Sequence, residues 1–184
     1  MAFHGLLVVR DEADIIAQTL AHLLTWADGL YILDTGSTDG TWEIVNEMAV
    51  REKRIVPMMS RPLYWSLGLR AMLFDEYRSR FGRGDWIVRL DADEFYHVTP
   101  PEFVKSSVSR AEGRVRVQMF EFVLTRSMVE AWERGEESVT DRSASITERR
   151  RIYYVDPHPE VRLFRYRPSM KWPVTRAVPW NDGL

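Results

Sequence analysis

Apolar residues in the first half of the chain gather into four compact runs: His4–Arg10, Leu30–Leu33, Ile55–Met59 and Trp86–Leu90. Each is short, partly β-branched and closed by charged or turn-forming residues, as buried strands are. Between the runs the period changes. Ile15, Ile16, Leu20, Leu23 and Leu24 recur at helical spacing within Ala13–Trp26, and Thr41–Arg51 and Trp65–Arg80 read as two more helices. Asp11 and Glu12 stand where acidic side chains favour a helix start, Thr38 or Asp39 offers a cap to the second helix, and Gly82 and Gly84 stop the third. Strands alternating with helices predict right-handed crossovers. The expected fold class is α/β, Rossmann-like: a three-layer α/β/α sandwich with a mixed, mostly parallel central sheet.

The second half has a different texture. A helix is expected at Pro101–Ser109 and a long β-like run at Arg114–Thr125. Ser127–Arg151 is dense in charge and poor in pattern, which predicts an exposed helix or an excursion from the core. Tyr153–Val155, Val161–Arg165 and Lys171–Val174 read as short strands joined by proline-containing turns. Residues 1–184 are expected to form one domain, with 1–100 as its ligand-binding half and 101–184 as a second half.

Composition narrows the classes. The chain has 184 residues, 45% of them hydrophobic and 28% charged, as an ordinary globular domain does. With no cysteine, disulfides and thiolate metal sites are excluded. A net charge of −2 gives no general attraction to nucleic acid, which is not expected as a partner. No apolar run approaches the roughly 18 residues of a membrane span, and Met1–Arg10 lacks the marks of a secretory leader. A cytoplasmic protein without a transmembrane segment is expected.

The candidate chemistry sits where the strands end. Asp11, Asp34 and Asp91 each follow a strand directly, and open α/β sheets bind ligands beyond the carboxyl ends of their strands. Asp91-Ala92-Asp93 sets two carboxylates two residues apart, able to turn toward one hard cation. Mg²⁺ or Mn²⁺ needs only one or two protein carboxylates when phosphates complete its shell. Alone, such a pair could equally be a solvated loop.

VVRDEADI near the start, ILDTGSTDGT after the second strand and GDWIVRLDADEF around the fourth resemble, in order and spacing, the family 2 glycosyltransferases and their GT-A, nucleotide-diphospho-sugar transferase fold. The resemblance covers about Leu6 to Pro101, and more loosely HPEVRLFRY at His158–Tyr166. It implies metal-dependent transfer of a sugar from a nucleoside diphosphate, with a UDP-sugar as first choice of donor, to an unidentified hydroxyl acceptor, with inversion. By position it implies that Val9 and Arg10 line the nucleotide site, that Asp34 bonds the base or ribose, and that Arg70 approaches the nucleotide. Asp91 and Asp93 would hold Mn²⁺ or Mg²⁺ and the diphosphate. Each has a plainer reading: Arg10 and Arg70 as surface charges, Asp34 as the shaper of its own turn, Asp39 as a cap, Glu94 as an orienter of its loop.

The acceptor base is expected in the second half, where Asp156, His158 and Glu160 form the compact titratable cluster. Asp156 or Glu160 would be the catalytic base and His158 a metal or phosphate contact. The chain has no histidine after His158, whereas the resembled enzymes continue to one that faces the site. Trp65, Trp172 and Trp180 could stack on sugar rings, but large aromatics are more often core; core is favoured for Trp65 and Trp86 and left open for Trp172 and Trp180. Two other readings stand beside transfer. One is a non-catalytic nucleotide-sugar-binding module. The other is a haloacid-dehalogenase-type phosphatase, with Asp91 as nucleophile, which the three preceding βα units disfavour.

Overall fold

A computed structural model describes residues 1–135 and 152–179. The chain divides into two compact units, Met1–Val115 with Val161–Leu184, and Arg116–Glu160. The chain from Val161 onward belongs with the first unit.

In the first unit β1 (Phe3–Val9), β2 (Gly29–Asp34), β3 (Ile55–Ser60) and β4 (Trp86–Leu90) alternate with α1 (Ile16–Leu23), α2 (Thr41–Arg51) and α3 (Leu69–Tyr77). A fourth helix, α4 (Pro100–Ser107), starts with prolines in its first turn, where a missing N–H costs nothing. The six-stranded sheet runs β3-β2-β1-β4-β8-β5, with β5 at Arg114–Val117 and β8 at Glu160–Arg165. The β3–β2, β2–β1 and β1–β4 pairings are parallel, and β4–β8 is antiparallel. This is the expected mixed, mostly parallel α/β sheet. All six residues of β2 are buried, as strands covered on both faces must be.

Chain direction across the sheet fixes the layers. From β1 the chain steps outward to β2 and β3, then returns past β1 to β4. Right-handed crossovers therefore put α1 and α2 on one face and α3 on the other. Leu6, Tyr31, Leu33 and Ile87 pack with Leu69, Leu73 and Phe74 of α3, and with Phe164, Tyr166, Met170 and Trp172 from the later chain. The reversal makes the gap between the tips of β1 and β4 the topological switch point, where such sheets take their ligands.

Two aromatic expectations resolve differently. Trp86 and Trp172 are core, and Trp172 donates its indole N–H to the Arg176 carbonyl (3.0 Å) instead of entering a strand at 171–174. Trp65 is not core: it is 71% exposed. The third helix starts at Leu69, four residues later than expected, because Arg61–Ser66 form an irregular loop. Trp180 lies outside the described residues.

In the second unit, the run expected at 114–125 breaks after β5. β6 (Phe120–Phe122) pairs antiparallel with β7 (Tyr153–Val155), and α5 spans Arg126–Glu133. The remainder of the 127–151 excursion, from 136 to 151, lies outside the described residues. No helix among the described residues is long and apolar enough to cross a membrane.

Candidate functional site

The register brings the strand tips level. Val9 pairs with Asp34, Asp34 with Ser60, and Leu7 with Leu90. One strand separates β2 from β4, so their tips lie about 10 Å apart at normal strand spacing. The three acidic loops thus share one sheet edge.

The loop after β1 and the turn after β2 are stitched together by side chains. The backbone N–H of Asp11 donates to Ser37 Oγ (2.8 Å), that of Glu12 to Thr41 Oγ1 (2.7 Å) and that of Ala13 to Asp39 Oδ2 (2.9 Å). Asp11 Oδ1 in turn accepts from the Thr38 N–H (2.8 Å). Asp39 also accepts from the N–H of Thr41 (3.0 Å) at the head of α2, so its structural reading accounts for its contacts. Burial works to raise the Asp39 carboxyl, but donation from Thr41 and Ala13 outweighs it and holds the group below its ordinary value. Asp11 sits at φ 52°, a region a non-glycine residue enters at a cost of about 1 kcal/mol, and these bonds hold it there.

Asp34 is fully buried. Its Oδ1 accepts from the N–H groups of Gly36 (2.7 Å) and Ser37 (2.9 Å) and from Ser60 Oγ (2.7 Å), and its Oδ2 from Ser37 Oγ (2.5 Å). Four donors meet one carboxylate, so the turn-shaping reading explains every partner Asp34 is seen to have. Val9 is buried in the core and gives its carbonyl to the Thr35 N–H (3.0 Å). Arg10 is exposed, with Nε 3.5 Å from Asp11 Oδ2.

The fourth tip is braced by arginines. Arg70, on α3, donates to the Leu90 carbonyl (3.1 Å) and pairs with Asp91 Oδ1. Arg162, on β8, reaches Asp91 Oδ2 (2.8 Å) and Glu94 Oε1 (2.7 Å). Glu94 Oε2 accepts from the Asp91 N–H (3.1 Å), which closes the loop upon itself and agrees with its orienting role. Burial works to raise Asp91, but Arg70 and Arg162 beside it outweigh that and hold it below the ordinary carboxylate range. Glu94 goes the other way: burial lifts it to about 7 against the pull of Arg162.

Between these acids, Ala92 is buried and its carbonyl accepts from the buried Thr19 hydroxyl of α1. Just beyond, the Tyr96 N–H donates to His22 Nε2 (2.9 Å), and burial holds His22 below its ordinary pKa, the neutral form that can accept. The loop is thereby pinned to α1 on both sides of Asp93. Asp93 itself is exposed, and takes no hydrogen bond or ion pair among the described residues. Near it, Glu12 is lifted to about 7 by burial first and by the charges of Asp93, Asp14, Asp39 and Asp91.

This arrangement tests the implied cation. Among the described residues no three His, Cys, Asp or Glu side chains gather as a metal-holding group. Asp91 has both oxygens on arginines. Asp93 and the half-buried Glu12 are oxygen donors in a strongly negative field, which suits Mg²⁺ or Mn²⁺ where phosphates supply the remaining ligands. The residues therefore fit a cation held chiefly by Asp93.

Asp156, His158 and Glu160 belong to the second unit. Asp156 Oδ1 accepts from the His158 N–H (2.8 Å) and lies 3.3 Å from His158 Nδ1, while the His158 ring is exposed. Sequence reasoning did not single out Arg162, Thr19 or His22. Of these, Arg162 left a trace: a charge inside the apolar run Val161–Phe164.

No protein-family profile matches the chain, and no curated protein is similar to it in sequence. Among solved structures, the mannosyltransferase PcManGT from Pyrobaculum calidifontis, in complex with GDP-Man and Mn²⁺, is similar over 61% of this chain and 34% of its own, at 18% identity and a TM-score of 0.49. TarS from S. aureus is similar over 52% of this chain and 28% of its own, at 17% identity and a TM-score of 0.39. The chain thus spans about a third of the length of these proteins. Neither likeness fixes the chemistry, which has to come from the residues themselves.

Proposed function

We propose that the chain is a glycosyltransferase that binds a nucleoside-diphosphate sugar at the carboxyl edge of β1, β2 and β4 and transfers the sugar to a hydroxyl acceptor. The supporting observation is the pairing of an exposed, unbridged Asp93 with an Asp91 neutralised by Arg70 and Arg162, at the switch point between β1 and β4. Asp93 would hold Mn²⁺ or Mg²⁺, and a bound cation would neutralise charge on the departing diphosphate. Asp91 then serves to fix the two guanidinium groups beneath that diphosphate, not as a free ligand.

Transfer with inversion would form a bond from the acceptor oxygen to the anomeric carbon as the bond to the β-phosphate oxygen breaks. A carboxylate takes the acceptor's proton and the nucleoside diphosphate leaves. Asp156 or Glu160 is proposed for that base, and His158 for a metal or phosphate contact, on sequence grounds alone. A UDP-sugar donor and a cytoplasmic setting belong to the same proposal.

Titration calorimetry with UDP- and GDP-sugars, with and without Mn²⁺, tests it. The wild type is expected to bind one of them in a Mn²⁺-dependent way, and Asp93→Asn to weaken that binding at least about tenfold, the loss of one charge-assisted contact. Unchanged Mn²⁺-dependent affinity in Asp93→Asn would remove the assignment. Binding without transfer to any acceptor would favour the non-catalytic module.

A further inference from the structure

Tyr64 and Trp65 are 97% and 71% exposed, the most solvent-exposed aromatic pair among the described residues of the first unit. They stand at the apex of the loop between β3 and α3, and this loop is held at both ends. At its start the Arg61 N–H donates to the Asp34 carbonyl (3.1 Å) and the Leu63 N–H to the Thr35 carbonyl (3.3 Å). Gly36, at φ +96°, lets Pro62 come so close that a Cβ there would lie 2.9 Å from Pro62 Cα. At the far end a Cβ on Gly68 would lie 2.8 Å from the Val174 carbonyl oxygen. Two aromatic rings in water on a loop clamped at both feet are not a core that failed to close. They form a projecting flat surface.

Its position selects the occupant. β3 is three strands from β4, so the loop's first foot lies about 14 Å across the sheet edge from the Asp91–Asp93 tip. That is close to the reach of a nucleotide from its β-phosphate to its base. A diphosphate at Asp93 and a chain of atoms crossing β1 and β2 would bring the base to this loop. Every nucleobase has a π-face, and stacking on an aromatic side chain tolerates its identity.

We propose that Trp65, assisted by Tyr64, is the stacking surface for the donor's nucleobase. The inference rests on the function proposed above and adds to it the residue that grips the base. Equilibrium binding of UDP, of GDP and of inorganic pyrophosphate, each with Mn²⁺, is measured for wild type, Trp65→Ala and Trp65→Phe, alongside thermal midpoints as a check on folding. Trp65→Ala is expected to weaken the nucleotide that the wild type binds by about 5- to 150-fold, the range for losing one stacked base. Trp65→Phe should recover most of that affinity, and pyrophosphate binding should be unmoved in all three.

Equal losses for pyrophosphate and nucleotide would overturn the inference, since the side chain would then serve the site's structure. Unchanged nucleotide affinity with a raised KM for acceptor would also overturn it and assign the apex to the acceptor. A wild type that binds neither nucleotide would instead overturn the functional reading, so the two failures are distinguishable.

Discussion

Removing Arg162 should cost more stability than any other single change at the site, and the amount can be worked from its surroundings. Its side chain is 5% exposed and bridges Asp91, which is 39% exposed, and Glu94, which is 14% exposed. Arg162→Met fits the same space and strands two acids. Breaking a buried ion pair from one side costs about 3–5 kcal/mol, but the two acids do not share this equally. Asp91 keeps Arg70 and enough solvent to screen its charge. Glu94 loses the guanidinium within ion-pair distance, but its carboxyl, already lifted to about 7, escapes part of the penalty by taking up a proton. The lower end, about 3 kcal/mol, is therefore expected. At 2–4 °C per kcal/mol for a domain of this size it would lower Tm by about 6–12 °C. Urea denaturation of wild type, Arg162→Met, Glu94→Gln and the double variant reads it directly. If the stranded carboxylate is the cause, the double variant is more stable than the sum of the single losses predicts by about 1–2 kcal/mol. Additivity within about 0.5 kcal/mol would refute the reasoning and leave a packing defect as the explanation.

Asp39→Ala removes a carboxylate that accepts from both Ala13 and Thr41, and should cost about 1–2 kcal/mol as a lost helix-terminal acceptor, read as a shift of the urea midpoint at constant slope. Acid should act through His4, whose Nε2 lies 3.5 Å from Asp85 Oδ2. Burial holds His4 below 6.5 despite the pull of Asp85, so as pH falls below 6.5 the unfolded chain takes up a proton that the folded chain refuses, and stability drops. Glu12 and Glu94, lifted to about 7 from 4.5, slope the opposite way between those values, so the informative quantity is a difference. Between pH 7.5 and 5.5, wild type should lose up to about 1.4 kcal/mol more than His4→Gln, and parallel stability curves would argue against a low His4 pKa.

The strand-helix alternation was readable because both periods are written in apolar spacing, and because interior parallel strands such as Gly29–Asp34 are apolar on both faces. What spacing cannot register is a side chain that happens to fall in phase with a helix it does not join. Trp65 lies at a helical interval from Leu69 and Met72, so it reads as core. Pro62 and the close passage of Gly68 against Val174 release the segment instead, and the helix begins after the aromatic pair. The second unit was legible only as a change of texture, since its short strands Phe120–Phe122 and Tyr153–Val155 pair across thirty residues of chain.

The site was legible to the degree that its residues lie next to one another in sequence. Asp91 and Asp93 are visible as a pair, but their different situations are not. That difference is set by Arg162, seventy-one positions away, and by Arg70 and Thr19 on helices of opposite faces. An acid at the tip of an apolar strand is ambiguous until its cations are counted. Among the described residues two guanidinium groups meet Asp91 and none meets Asp93, so the first acid braces its loop and the second is left exposed. The same counting applies to Asp34: Gly36, Ser37 and Ser60 all donate to its oxygens, so the carboxylate pins its turn.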